Sequence, residues 1–369
     1  MINIEPKSNI EPKSNKNLKK PKYILLYLQS IGHEESPFWE HGEIAGAILA
    51  EDLSLWKDLG TMITPDKNEQ WKSHRLLAGK LYPQGNQLYF FYGGAPDHPH
   101  ILEESVGLCK GKLNDNWDID WGSSKPLEFI GWEKYYEHSP NLDLPEQPHL
   151  QWRDPWIVFE QGKYWMFLSA SAKTSSPLYK GCIGLAVADT LEGPYTVLPP
   201  AAFPCMDTGK DEEGLVTECE RSHVIYKNGM WHLFFSVWKK QTNPKWLEKL
   251  KTKADTISDS SLHHYISSKL EGPYSPVSEV PIVKGSSQTG LYATHFFLDQ
   301  NSFGDSFAYG LEIETFSLDV SGQWKVLWEE NYPEIKKGSP SHMNSSLAHS
   351  LQFQRQGKFW DAMLLELVS

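Results

Sequence analysis

Glu218 and Glu220 stand two residues apart in "VTECERSHVIYKNGMWHLFFSV" (216–237), and Arg221 follows at once. A second charged pair, Arg153 and Asp154, opens "WRDPWIVFEQGKYW" (152–165). Carboxylates that converge in a partly closed space raise each other's pKa by like-charge repulsion. Such a shift keeps a carboxylic acid protonated near neutral pH, ready to act as a general acid. With a second carboxylate on the other side of a sugar, the pair can cleave a glycosidic bond. A plainer reading uses the same residues: Arg153–Asp154 and Glu220–Arg221 as salt bridges inside a channel. The residues alone leave both open.

The flanking segments must position these charges. Asp154 precedes the turn glycine Gly162 by eight residues, and Glu220 precedes Gly229 by nine. The two acids are therefore expected at nearly equivalent positions on neighbouring units. Glu218 and Glu220 should share a strand face, because side chains alternate with period two. Arg153 and Asp154 are expected just before their strand, with Pro155 at its start, where no ladder donor is required.

The strand–turn–strand element recurs as "PKYILLYLQS", "NQLYFFYGGA", "GKYWMFLSAS", "GMWHLFFSVW" and "DSFAYGLEIE". The second residues of these segments are 22, 87, 163, 230 and 306, at intervals of 65, 76, 67 and 76. Leu-Glu-Gly-Pro-Tyr occurs twice, at 191–195 and 270–274, between third and fourth strands. Five units of roughly 70 residues with four strands each describe an all-β fold. The expectation is a five-bladed β-propeller with four-stranded antiparallel blades, an incomplete first blade being allowed. First strands of such blades line the channel, so the chemistry should lie on them. The segment 243–258 is the best helical candidate, expected as a short surface insertion.

The chain has 369 residues, 40% of them hydrophobic, enough for a sizeable core. Its net charge of −12 argues against nucleic-acid binding. Cys109, Cys182, Cys205 and Cys219 lack CxxC spacing, which points to neither a zinc site nor a disulfide framework. No cofactor is expected. The acidic loop 114–121 reads as a solvated turn, with calcium binding as the alternative. Residues 1–22, including a tandem NIEPKS, read as a disordered polar tail ahead of one domain over 23–369. Nothing in that tail resembles a signal peptide or membrane span. The chain as written is expected in the cytoplasm, or outside the cell if its N-terminus is truncated.

"RDPWIVFEQGKYW" resembles the RDP motif of the five-bladed β-propeller glycosidases, families 32, 43, 62 and 68. "CIGLAVAD…VLPP…TECERSHVIYKNGMWHLFFS" is most similar to family 68, the levansucrase, inulosucrase and β-fructofuranosidase group. "HHYISSKLEGPYSPV" and "GLYATHFFL" resemble its later blades, so the resemblance runs from about residue 23 to 330. It implies Glu220 as general acid/base and Asp154 as the group that binds sugar hydroxyls and stabilises the transition state. It implies Arg153, Glu218 and Arg221 as substrate binders, with His295 a weaker match. Trp152 and Trp156, flanking RDP, are expected in the core more than on a sugar face. The implied substrate is sucrose or a related β-fructofuranoside, cleaved or transferred with retention.

The same resemblance implies a nucleophilic aspartate in a Trp-Asp-x-Trp strand about ten residues before "YILLYL". The window 11–22 holds no aspartate. Truncation, loss of hydrolysis, or replacement of the strand by the C-terminal segment 345–367 would each account for that. The last segment is expected to form a first-and-second-strand pair with His349 but no carboxylate on its first strand. The alternative functions are a family 43-like arabinofuranosidase or xylosidase, and a non-catalytic sugar-binding propeller.

Overall fold

A computed structural model describes residues 21–30, 41–50, 55–97, 103–137, 150–174, 178–207, 212–227, 229–252, 256–284, and the strands within 295–298, 306–309, 323–329, 332–337 and 358–366. Most of the expected tail and residue His349 lie outside the described residues; the first strand begins at Pro21, just inside the expected tail.

Among the described residues the strands form five sheets of four or five strands and one two-stranded ribbon. The first sheet runs Lys358–Glu366, Pro21–Ser30, Glu43–Ala50, Leu55–Ile63. The second opens with Arg75–Gln84, Gln87–Ala95 and Ser105–Leu113; the third with Trp152–Glu160, Lys163–Ser171, Gly181–Ala188 and Tyr195–Ala202. The fourth opens with Glu220–Lys227, Met230–Trp238 and Ser260–Ser267, and the fifth with His295–Leu298. The opening strands of the first four sheets lie side by side: 358–366 beside 75–84, then 152–160, then 220–227. That radial order is an all-β propeller.

The second strands owe their conformation to burial on both faces. In Gln87–Ala95, Phe91 packs with Leu108, Met166 and Leu168 of the second and third sheets, while its neighbours Phe90 and Tyr92 pack with Ile24, Leu26 and Ile48 of the first. In Lys163–Ser171, Phe167 instead joins Leu185, Leu233 and Phe235 between the third and fourth sheets. Period-two alternation thus feeds two cores, and the strands read as continuous apolar runs. Each fully buried Leu or Phe contributes about 1.5–3 kcal/mol. Both Leu-Glu-Gly-Pro-Tyr copies form the same turn: Gly193 and Gly272 have φ of 75° and 85°, and Tyr195 and Tyr274 donate to the carbonyls of Leu191 and Leu270 at 3.1 and 2.9 Å.

Several expectations need correction. The third sheet carries a fifth, parallel strand, Phe129–Ile130, on the edge of Tyr195–Ala202, so its pairing is not purely antiparallel. The incoming chain covers an edge that would otherwise stay unpaired. The helix is shorter than 243–258, spanning Pro244–Thr252, and is no mere surface insertion. Asn243 accepts the Lys245 N–H at 3.0 Å at its start, and Trp246 and Leu250 are buried against the fourth sheet. The C-terminal segment contributes one described strand, Lys358–Glu366, which carries Asp361 and Glu366; the first strand expected ahead of it, with His349, lies outside the described residues. Cys109, Cys182 and Cys219 are buried thiols, and Cys205 is exposed. In the acidic loop, Asn114 Oδ1 accepts the N–H groups of Asn116 and Asp118, and Lys57 Nζ pairs with Asp118 at 2.6 Å.

A histidine layer runs through the fourth sheet. His263 stacks on Phe235 with ring centroids 5.0 Å apart, and His264 on Phe234 at 4.5 Å. Burial lowers both from 6.5 to about 3. The unfolded chain therefore takes up these protons first, and stability falls as pH drops from about 6.5 toward 3. Replacing His263 by Phe is expected to flatten part of that loss in urea midpoints measured from pH 7 to 4; an unchanged slope would contradict the assignment.

Candidate active site

The opening strands of the second, third and fourth sheets share one irregularity. Each has a bulge in which two residues stand opposite one: Leu77 and Ala78 opposite Gly93, Asp154 and Pro155 opposite Leu168, Arg221 and Ser222 opposite Phe235. The first bulge residue has φ of +55° in both Asp154 and Arg221. A bulge bends the strand and re-aims its side chains.

This register corrects the expected equivalence. Arg153 corresponds to Glu220, and Asp154 to Arg221, because Arg153 pairs with Ser169 and Glu220 with Ser236 immediately before each bulge. The counts of eight and nine to the turn glycines carry the same one-residue difference, since Arg153, like Glu220, stands nine residues before its glycine. Arg153 and Asp154 also lie within their strand, not before it, the bulge accommodating Pro155.

The one-residue offset brings Arg153 against the acids of the next sheet. Its Nη2 donates to Glu218 Oε2 and to Glu220 Oε1, both at 2.8 Å. Its Nη1 donates to both oxygens of Glu104 at 3.0 Å. Asp154 Oδ2 stands 3.9 Å from its Nε. Burial would lower the Arg153 pKa, but the charges of Glu104, Glu218, Glu220 and Asp154 prevail and hold it well above its ordinary value. The expected cluster of mutually repelling carboxylates is thus centred on a guanidinium, whose planar fork suits several oxygens at once. Of the two plain salt bridges considered, the Arg153–Asp154 contact is present at that longer distance, while Glu220 binds Arg153.

Supporting residues fix the remaining lone pairs. Asp154 Oδ2 accepts the Ser169 hydroxyl and the Arg221 backbone N–H, each at 3.0 Å. Gln151 Nε2 donates to Glu218 at 3.0 Å, and its Oε1 accepts the Cys219 N–H at 3.3 Å. Gly181 permits the close approach of this segment, since a Cβ there would stand 2.6 Å from the Glu218 nitrogen. Glu104 also accepts the Trp152 N–H at 3.2 Å and lies 3.7 Å from Arg75. Exposure grades across the acids: side chains are 0% accessible at Glu104, 5% at Asp154, 13% at Glu218 and 16% at Glu220. Glu220 is the most open of the four.

Sequence reasoning missed Glu104, Gln151, Ser169 and Lys80. Lys80 Nζ lies over the Trp156 ring, 3.7 Å from its centroid, and the ring of buried His223 stands 5.3 Å from that centroid. Trp152 and Trp156 are buried, as expected of core residues. His295 begins the fifth sheet, paired with Tyr309; its side chain lies outside the described residues. Among the described residues no group of three His, Cys, Asp or Glu is arranged to hold a metal ion.

Removing Arg153 would strand buried carboxylates. Replacing Arg153 by Met is expected to cost about 3–5 kcal/mol of stability at pH 8, with the deficit shrinking as the acids protonate at lower pH; chemical denaturation at both pH values checks it. Lys80 offers a second test. Burial, then the Arg221 charge, lowers its pKa from 10.5 to about 7. Between those values the unfolded chain holds the extra proton, so the penalty for burying Lys80 is full below pH 7 and fades as pH rises to 10.5. Replacing Lys80 by Met should raise stability at pH 6, with the gain declining above pH 7; a pH-independent difference would refute this.

The chain resembles known proteins in sequence and in fold. Residues 19–181 match the glycosyl hydrolases family 32 N-terminal domain. Levansucrases of Erwinia amylovora and Rahnella aquatilis are each 28% identical over 117 residues, 31% of this chain. The match spans 24% of the length of either relative. The fold is similar to Bacillus subtilis levansucrase (TM-score 0.62, 14% identity, 86% of this chain and 82% of that one). It is also similar to a levansucrase variant complexed with sucrose (0.65, 13%, 86% and 82%) and to Halalkalicoccus jeotgali inulosucrase bound to kestose (0.59, 15%, 90% and 91%). Residues 19–181 are thus similar to the family 32 N-terminal domain, and the fold is an all-β propeller similar to those of levansucrases and an inulosucrase.

Proposed function

We propose that this protein is a five-bladed propeller glycosidase that hydrolyses sucrose or a related β-fructofuranoside, or transfers its fructosyl group, with retention. The observation that carries the reading is Arg153 holding Glu218 and Glu220 of the next sheet beside Asp154, on strands that lie side by side. The five sheets of four or five strands support the blade count. The sugar substrate is suggested by relatives named levansucrase and by a similar fold complexed with sucrose.

In this reading Glu220, the most accessible of the acids, protonates the leaving oxygen and then deprotonates the incoming water or sugar hydroxyl. Asp154, fixed by Ser169 and the Arg221 N–H, accepts hydrogen bonds from ring hydroxyls and stabilises oxocarbenium-like charge. Arg153 and Glu218 orient Glu220 and supply further polar contacts, and Arg221 and His295 are substrate binders. Such a double displacement also requires a nucleophilic carboxylate.

Incubation with sucrose is expected to release glucose. Replacing Glu220 by Gln should lower that rate about 10²–10⁴-fold while leaving sucrose binding, read by tryptophan fluorescence, largely intact. Robust cleavage of aryl arabinofuranosides with none of sucrose would favour the family 43-like reading. Sugar binding without turnover would favour a non-catalytic propeller.

A further inference from the structure

The first sheet takes its opening strand from the C-terminal end of the chain. Lys358–Glu366 pairs antiparallel with Pro21–Ser30, so that Glu366 lies opposite Tyr23. Its direction relative to the second strand is the one that a hairpin imposes in the second, third and fourth sheets. It also lies beside Arg75–Gln84, the opening strand of the second sheet. The C-terminal strand therefore stands at the inner position of the first sheet.

Its pairing carries the same irregularity as the others. Trp360 is opposite Leu28 and Met363 is opposite Leu26, which leaves Asp361 and Ala362 opposite Tyr27. Two residues face one, as at Leu77–Ala78, Asp154–Pro155 and Arg221–Ser222. Asp361 thus occupies the first bulge position, the register position of Asp154 and Arg221. The strand's other acid, Glu366, pairs at the far end, where the other sheets have their hairpins. Register alone selects one carboxylate of this strand for the level of the site.

We propose that Asp361 is the catalytic nucleophile, supplied by the C-terminal strand. The inference rests on the retaining reading above and adds the residue that reading lacks. A carboxylate oxygen of Asp361 attacks the anomeric carbon. The bond from that carbon to the leaving oxygen breaks, its electron pair stays on that oxygen, and Glu220 supplies the proton. Glu220 then takes a proton from the acceptor, water or a sugar hydroxyl. The acceptor oxygen bonds to the anomeric carbon and displaces the Asp361 carboxylate, which restores the enzyme. Trp360–Asp361 also provides the Trp-Asp pair that the window 11–22 does not contain.

The test compares Asp361→Asn, Asp361→Gly and Asp154→Gly in the full chain, with sucrose as substrate. Asp361→Asn should lower glucose release on the order of 10³-fold or more while keeping sucrose binding. Glycine suits the positive φ seen at this bulge position in two other sheets, so Asp361→Gly should fold. Sodium azide should restore its glucose release, with a fructosyl azide of inverted anomeric configuration as the second product. Azide rescue of Asp154→Gly, and not of Asp361→Gly, would overturn the assignment and leave the substrate reading standing. A wild-type protein inert toward β-fructofuranosides would instead sink that reading, and this role for Asp361 with it. The register is checked without activity: a Leu28→Cys, Trp360→Cys double variant should form a disulfide mapped by mass spectrometry. Cross-linking of Leu26→Cys with Trp360→Cys in its place would shift Asp361 out of the bulge and overturn the proposal.

Discussion

Arg153 is a cation withdrawn from water and surrounded by Glu104, Glu218, Glu220 and Asp154, and the centre of the propeller is organised around it. A buried charge is costly unless paired and hydrogen-bonded, and four carboxylates crowded together would repel. Neither set is tolerable alone. Together they bind Glu104 just before the second sheet's third strand, Arg153 of the third sheet and the two glutamates at the start of the fourth. The contribution is to specificity more than to stability, since buried ion pairs seldom outperform apolar packing but are expensive to break.

The β-bulge makes that geometry repeatable. An ordinary strand would present residues 153 and 155 to one side and 154 to the other. The extra residue at each bulge changes that pattern at one level in three neighbouring sheets. It puts Arg153 level with Glu220 and gives Asp154 and Arg221 the same left-handed conformation. Asp154 then accepts the Arg221 N–H, so the irregular backbone of one sheet is held by an acid of its neighbour. Behind the bulges, second strands such as Lys163–Ser171 feed apolar side chains into cores on both faces, which keeps this level rigid.

Much of this was legible in the residues. Aromatic strand–turn–strand elements at near-regular intervals point to repeated sheets, and Arg153, Asp154, Glu218 and Glu220 stand out as charges on otherwise apolar strands. The alignment between sheets was legible only to within one residue. Asp154 stands eight before Gly162 and Glu220 nine before Gly229, and strand pairing shows that this difference puts Arg153, not Asp154, level with Glu220. Glu104 looks like half of an ordinary Glu-Glu pair before a strand; only the approach of Arg153 and Arg75 explains its burial. The helix at Pro244–Thr252 looked superficial because its amphipathic stripe is short, yet Trp246 and Leu250 close the core of the fourth sheet.

The sequence by itself determined what is local: strand period, turn glycines, the paired Leu-Glu-Gly-Pro-Tyr turns and the residue types able to do acid–base chemistry. These depend on neighbours a few residues away. The tertiary structure alone decided which charges meet, because that depends on register between strands tens of residues apart. It also decided which strand completes the first sheet. The residues offered the C-terminal segment as one of three accounts of the missing first strand, and the pairing of 358–366 with 21–30, set by register between distant segments, selects it.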